Sequence, residues 1–193
     1  NMLINISTHS PRACYSEGKR IAETLVQVFG KIYNFQTRLA RVFNTYGPRQ
    51  SARAVIPTII GQCDLVNGEI KLGNLDPTRD LTYVKDTCKG FLEIYNNNNF
   101  FGEVTNIGVN LEISIGDLAR MIMKILNVEL PIITDQKRIR PENSEVERLV
   151  CDNEKLVKGS SWHPEYNLER GLSETINWFQ KYNQVNKAEH YHI

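Results

Sequence analysis

What constrains the fold most is a repeated change of hydrophobic period along the chain. From Glu17 to Tyr33, the apolar residues Ile21, Leu25, Val28, Phe29 and Ile32 fall on one helical face, while Arg20, Glu23, Thr24 and Gln27 fall elsewhere. A short extended stretch follows, Thr37 to Phe43, stopped by the turn residues Asn44, Gly47 and Pro48. Ala54 to Val66 then predicts a helix, with Pro57 in its first turn, where a missing N–H is harmless. Ile70 to Gly73 reads as a strand, Gly73 to Pro77 as a loop and Leu81 to Val84 as a strand, with Asp86 placed to cap a helix through Tyr95. Val104 to Ile107 is a further strand. Ser114-Ile115-Gly116-Asp117 is a capping-box variant that opens a helix with Leu118, Ile122, Ile125 and Leu126 on one side. Leu130 to Ile133 predicts a strand and Gln136 to Arg148 a charged loop. Asn167 caps a final helix with Leu168, Leu172, Ile176 and Phe179 inward. Strands alternating with helices place the chain in the α/β class.

With 41% hydrophobic residues in 193, a real core is expected, which excludes a disordered tail or a disulfide-stapled miniprotein. A formal charge of +1 supplies no field for nucleic acid or an anionic membrane surface. No apolar run approaches the roughly 20 residues of a membrane helix. Cys14, Cys63, Cys88 and Cys151 are scattered singly, which fits reduced thiols in the cytoplasm and no metal centre. His163 reads as a surface loop residue, and Asp80 and Asp86 as structural. Asn1 to Ser7 has neither the basic start nor the apolar length of a signal peptide, and no capped element precedes it. That pattern predicts a fragment of a longer chain.

Tyr15 and Lys19 stand four apart at the start of the first helix, which puts both on one face, a turn apart. A free tyrosine has a pKa near 10 and is a poor base at neutral pH. A neighbouring ammonium favours the phenolate. Bringing the phenol near neutrality takes roughly 4 kcal/mol of differential stabilisation, within reach of a partly buried lysine near a helix N-terminus. By itself this spacing is common and fits a surface tyrosine beside a solvated lysine equally.

More follows in order. Pro11-Arg12-Ala13-Cys14-Tyr15-Ser16-Glu17-Gly18-Lys19-Arg20 leads to Arg41-Val42-Phe43-Asn44-Thr45-Tyr46-Gly47-Pro48-Arg49, then to Thr78-Arg79-Asp80-Leu81-Thr82-Tyr83-Val84-Lys85-Asp86. Asn106-Ile107-Gly108, Arg138-Ile139-Arg140-Pro141 and Trp162-His163-Pro164 complete the series. This ordered set resembles the extended short-chain dehydrogenase/reductase family of nucleotide-sugar enzymes, which includes 4,6-dehydratases, 4-epimerases and UDP-glucuronate decarboxylases. The resemblance covers the C-terminal part of that family. Its members open with a Gly-rich turn for the dinucleotide pyrophosphate. In this sequence the closest-spaced glycines are Gly68 and Gly73, so no G-x-G-x-x-G is present. The family's catalytic Ser/Thr is not matched either, since Ser7 and Thr8 lie too near Tyr15.

The resemblance implies an incomplete Rossmann-type doubly wound sheet plus a small α/β substrate-binding domain. Residues 1–50 and 80–110 would belong to the NAD-binding part, 51–79 and 111–182 to the nucleotide-sugar-binding part, and 183–193 to a tail. Tyr15 would be the base at the sugar 4-hydroxyl, and Lys19 would tune it and hold the nicotinamide ribose. Thr45 and Arg53 would touch the cofactor NAD. Asn44, by local chemistry a turn residue, would contact the sugar diphosphate. Arg79 and Arg140 would clamp that diphosphate, since guanidinium forks suit the anion. Val55, Ile56 and Gly73 would shape the nucleotide pocket. The Tyr/Lys helix would pack in a homodimer, although the stripe from Ile21 to Ile32 fits plain core equally.

The reaction is read from two halves that differ. Pro11 to Arg20 is most similar to UDP-glucuronate decarboxylases. Arg49 to Pro57, Asp76 to Asp80 and Pro141 to Arg148 are more similar to 4,6-dehydratases of UDP- or GDP-linked N-acetylhexosamines. The second group holds most of the pocket residues, so a nucleotide-sugar 4,6-dehydratase is expected, with decarboxylase or 4-epimerase as the alternative. An inactive truncated remnant is the alternative of another class.

Overall fold

A computed structural model describes residues 14–64, 68–139 and 145–182, with side chains from Glu17 onward. Helix α1 spans Cys14–Tyr33 and is followed by strands β1 (Leu39–Val42) and β2 (Asn44–Tyr46), then α2 (Val55–Cys63). Next come β3 (Ile70–Leu72), β4 (Thr78–Arg79), β5 (Leu81–Tyr83), α3 (Val84–Asn96) and β6 (Val104–Ile107). The chain continues through β7 (Ile113–Ser114), α4 (Ile115–Leu126), β8 (Ile132–Thr134), β9 (Arg148–Leu149), α5 (Glu154–Gly159) and α6 (Leu168–Tyr182).

Three strand pairs are parallel: β1 with β6 (Leu39 opposite Val104), β2 with β5 (Asn44 opposite Leu81) and β3 with β8 (Ile70 opposite Ile132). Parallel neighbours need long crossovers, and helices supply them. A small mixed sheet places β4 between β7, antiparallel, and β9, parallel. The fold is Rossmann-type α/β.

Local chemistry fixes several ends. The Ser114 hydroxyl accepts the Asp117 N–H at 3.0 Å and donates to its carboxylate at 2.7 Å, closing the start of α4. Asn127, in the left-handed conformation, ends the same helix. Asn167 Oδ1 accepts the Arg170 N–H at 2.9 Å at the start of α6. The main core gathers Ile56, Ile59 and Ile60 of α2, Leu118 and Ile122 of α4, and Leu172, Ile176 and Phe179 of α6 around Tyr46 and Tyr83. A second cluster packs Ile94, Phe100, Ile107, Leu156 and Trp162.

Three differences from the sequence reading are informative. Asn44 and Thr45 lie in a strand rather than a turn, because pairing with β5 outweighs their local preference. The turn begins instead at Gly47, where a Cβ would lie 2.6 Å from the Val84 side chain. Asp86 does not cap its own helix. It is buried inside α3, and its carboxylate accepts the N–H groups of Glu165 and Tyr166 at 3.1 and 3.0 Å. The apolar stripe of α1 is not core among the described residues: Ile21, Leu25 and Ile32 keep 55%, 52% and 67% of their surface exposed. The polar side of α1 docks instead, where Arg41 of β1 donates from Nε and Nη2 to both Glu23 oxygens at 2.9 and 2.6 Å.

Candidate active site

Among the described residues, those singled out from the sequence lie on α1, on β2, in the loop into α2 and on α2, in the turn after β3 and on β4. Tyr15 and Lys19 both lie on α1, one turn apart. Lys19 is exposed, while the side chain of Tyr15 lies outside the described residues, as does Arg140. The Arg41–Glu23 fork ties α1 to β1, and β1 runs straight into β2. There Asn44 presents a buried Nδ2 with no hydrogen-bond partner among the described residues. A buried amide donor left unpaired costs about 1–3 kcal/mol, which a ligand or water would offset. Thr45 shares a hydrogen bond with the Thr87 hydroxyl at 2.9 Å.

Gln50 was not singled out by sequence reasoning. Its Nε2 donates to the Thr45 carbonyl at 3.2 Å, and its Oε1 is buried without a partner among the described residues. The segment after Gly47 thus carries an unmet acceptor close in sequence to the unmet donor of Asn44. Only the polar residue within a Gly-Pro turn hinted at it. Arg53 is exposed in the loop before α2. Val55 is half-buried against the main core, and Ile56 is fully buried within it, so Ile56 acts through packing.

Arg79 occupies the central strand of the mixed sheet. Leu81, the ladder partner of Asn44, follows two residues later. Between them sits Asp80, completely buried. Its carboxylate accepts N–H groups from Val109, Asn110 and Cys151 at 3.0, 2.8 and 3.1 Å. Burial pushes this carboxyl above the usual range, and the N–H donors pull it back. Arg79 itself donates from Nη1 to the Thr78 carbonyl at 2.8 Å and from Nη2 to Glu145 at 2.7 Å.

Gly73 follows β3 where the backbone passes so close that a Cβ would lie 2.4 Å from the Arg138 carbonyl oxygen. Beyond it, outside the carboxyl ends of parallel β3 and β8, opens a cleft of about 330 Å³ lined by Asn74, Leu75, Asp76, Thr134 and Ile139. Ligands of parallel α/β folds bind at such strand ends. Among the described residues no group of His, Cys, Asp and Glu could hold a metal, and no helix is long and apolar enough to cross a membrane.

Comparison with known proteins bears on this geometry. The family model described as GDP-mannose 4,6 dehydratase matches residues 6–175. UDP-glucuronic acid decarboxylase 1 of Xenopus tropicalis is 33% identical over 187 residues, covering 92% of this chain and 41% of the relative. The dTDP-D-glucose 4,6-dehydratase of Homo sapiens is 29% identical, covering 91% of this chain and 50% of the relative. A UDP-glucuronic acid 4-epimerase of Bacillus cereus, solved with UDP-glucuronic acid and NAD, superposes with a TM-score of 0.80 at 26% identity, covering 89% of this chain and 54% of that one. The chain therefore spans about half the length, or less, of the relatives it matches.

Proposed function

We propose a function from one established premise: the chain belongs to the GDP-mannose 4,6-dehydratase family of extended short-chain dehydrogenases/reductases. Within that family it is read as part of an NAD-dependent nucleotide-sugar 4,6-dehydratase. The observation that carries this is Asn44. At the position matching the family's substrate-contacting asparagine, a buried amide donor waits without a partner among the described residues.

The residues present fit one end of a dinucleotide. An exposed Lys19 on α1 and the Asn44–Gln50 segment suit a nicotinamide riboside and the adjoining sugar. No G-x-G turn for the pyrophosphate is among these 193 residues. NAD, when bound, supplies a reversible hydride acceptor. Tyr15 takes the proton of the sugar 4-hydroxyl, and Lys19, a turn away, stabilises the phenolate that does so. The resulting 4-keto group acidifies the C5 proton, which sets up loss of water across C5 and C6; return of the hydride to C6 and of a proton to C5 completes the 4-keto-6-deoxy product. Asn44 and Arg79 hold the sugar diphosphate, and the cleft beyond Gly73 takes the base. Thr45 and Arg53 lie toward the cofactor side.

The division of the chain into an NAD-binding part, 1–50 and 80–110, and a nucleotide-sugar-binding part, 51–79 and 111–182, has support in the strand pairing. Each pair stays within one part: β1–β6 and β2–β5 in the first, and β3–β8 and β7–β4–β9 in the second. A homodimer through α1 is supported by its exposed apolar face.

A decarboxylase is the second reading, favoured by the 33% identity to the Xenopus enzyme. The deciding assay incubates the full-length protein and NAD with UDP-N-acetylglucosamine, GDP-hexoses, dTDP-glucose and UDP-glucuronate. A 4-keto-6-deoxy product supports the dehydratase. Release of CO2 from UDP-glucuronate supports the decarboxylase, and an upstream coding sequence without an in-frame Gly-rich βαβ supports an inert remnant.

A further inference from the structure

We infer that Glu145 is a positioning residue for Arg79, holding its guanidinium pre-set for a diphosphate; this rests on the diphosphate-binding reading of Arg79. The pair is close, with Nη2 to Oε1 at 2.7 Å, and both side chains are largely enclosed, at 15% and 18% exposed. Nη1 is held separately by the Thr78 carbonyl at 2.8 Å. Glu145 is itself fixed, since its Oε1 also accepts the Val146 N–H at 3.1 Å. The backbone beneath is equally set, because β4 is flanked on both sides and Asp80 is tied down by three backbone N–H groups.

A guanidinium has five N–H donors. Two are engaged in these contacts, which leaves three, Nε–H included, without a partner among the described residues. A long cation pinned at two points spends its rotamer freedom on folding rather than on binding. The remaining donors are then offered to an incoming anion by a guanidinium already set in place.

The same contact has a rival meaning, in which the carboxylate competes with the anion and must be displaced. The two differ in sign. Glu145→Gln keeps an oxygen at the same place and removes the charge, whereas Glu145→Ala removes both. Positioning predicts that Glu145→Gln binds a nucleoside diphosphate within about threefold of wild type or tighter, while Glu145→Ala binds about tenfold more weakly despite losing the same charge. Competition predicts tighter binding in both.

The experiment is calorimetric titration of the full-length protein and its variants with UDP, GDP and dTDP at fixed salt, with melting temperatures recorded alongside. Tighter or unchanged binding in Glu145→Ala overturns the inference, as does equal weakening in both variants. Arg79→Ala separates this from the parent reading. If that variant loses no affinity, or if no nucleoside diphosphate binds wild type, the parent reading falls and this inference with it. If Arg79→Ala weakens binding and Glu145→Ala does not, only the inference falls. Should Glu145→Ala fail to fold, the Arg79 Nη–H signals of the wild-type chain, assigned by their loss in Arg79→Lys, give a second readout. Resolved, slowly rotating signals are expected, and averaged ones overturn the proposal.

Discussion

At the residue scale, two carboxylates titrate in opposite senses. Asp80 is buried, and desolvation raises its pKa above the unfolded value despite its N–H donors. Its contribution to stability is therefore fully present below the unfolded pKa and is lost as pH rises through the folded one. Glu112 is held down to about 2, first by its hydrogen bonds from Arg148 and then by that from Thr78. Its contribution is present above the unfolded value near 4.5 and is lost as pH falls through about 2. Glu112→Gln is expected to flatten the acid limb of stability between about pH 5 and 2, read by urea melts across pH at low salt, and to lose that effect in high salt. Asp80→Ala leaves the N–H groups of Val109, Asn110 and Cys151 without their acceptor, Cys151 in the buried interior, and is expected to cost about 1–3 kcal/mol in the same melts. On the chemical side, Tyr15→Phe in the full-length protein should lower turnover by at least about 100-fold while nucleotide-sugar binding persists. Retained turnover would remove Tyr15 from the role of base.

At the scale of elements, what could be read from sequence divides by the range of the forces involved. The caps at Ser114 and Asn167 were legible because donor and acceptor lie within one turn. The strands β1 and β6 were legible because their apolar runs are bounded by turn residues. Strand β2 was not, because Asn44 and Thr45 look like a turn until β5, nearly forty residues on, pairs with them. Asp86 misled for the same reason, since the N–H groups it accepts belong to Glu165 and Tyr166. Of the candidate site, the resemblance of Arg41–Arg49 and Thr78–Asp86 to family motifs pointed to Asn44 and Arg79, but neither the partner of Arg79 nor the acceptor of Gln50 left without a partner among the described residues has a local signature. Periodicity announced an apolar face on α1 and was silent on what covers it. Its exposed leucine, isoleucine and phenylalanine residues form a surface suited to a second copy. On the proposed homodimer reading, Leu25→Glu with Ile32→Glu is expected to yield a monomer in sedimentation velocity. An unchanged mass would show that some other surface, or none, holds copies together.

At the scale of the whole molecule, strand pairing and packing obey different boundaries. Every strand pair stays within one of the two proposed parts, yet the main core joins Tyr46, Leu81 and Tyr83 of one to Ile56, Leu118 and Leu172 of the other. The joint is tight: a Cβ at Gly171 of α6 would lie 2.1 Å from the Tyr46 hydroxyl oxygen. The second hydrophobic cluster is stitched to the first by buried polar atoms, because the Asp86 carbonyl accepts the Trp162 indole N–H at 3.0 Å while its carboxylate fixes the approach to α6. Such cross-ties couple the two proposed parts, which are therefore expected to melt together. The two tryptophans report on this separately, since Trp162 is buried in the second cluster and Trp178 packs against the main core. Trp162→Phe and Trp178→Phe each leave one reporter, and denaturant melts of the two variants should give the same slope, with midpoints differing only by each substitution's cost as read by circular dichroism. Fluorescence and circular dichroism should coincide within each variant. A Trp162 signal that moves ahead of the circular dichroism would show the clusters unfolding apart, and the cross-ties at Asp86 would then contribute little to cohesion.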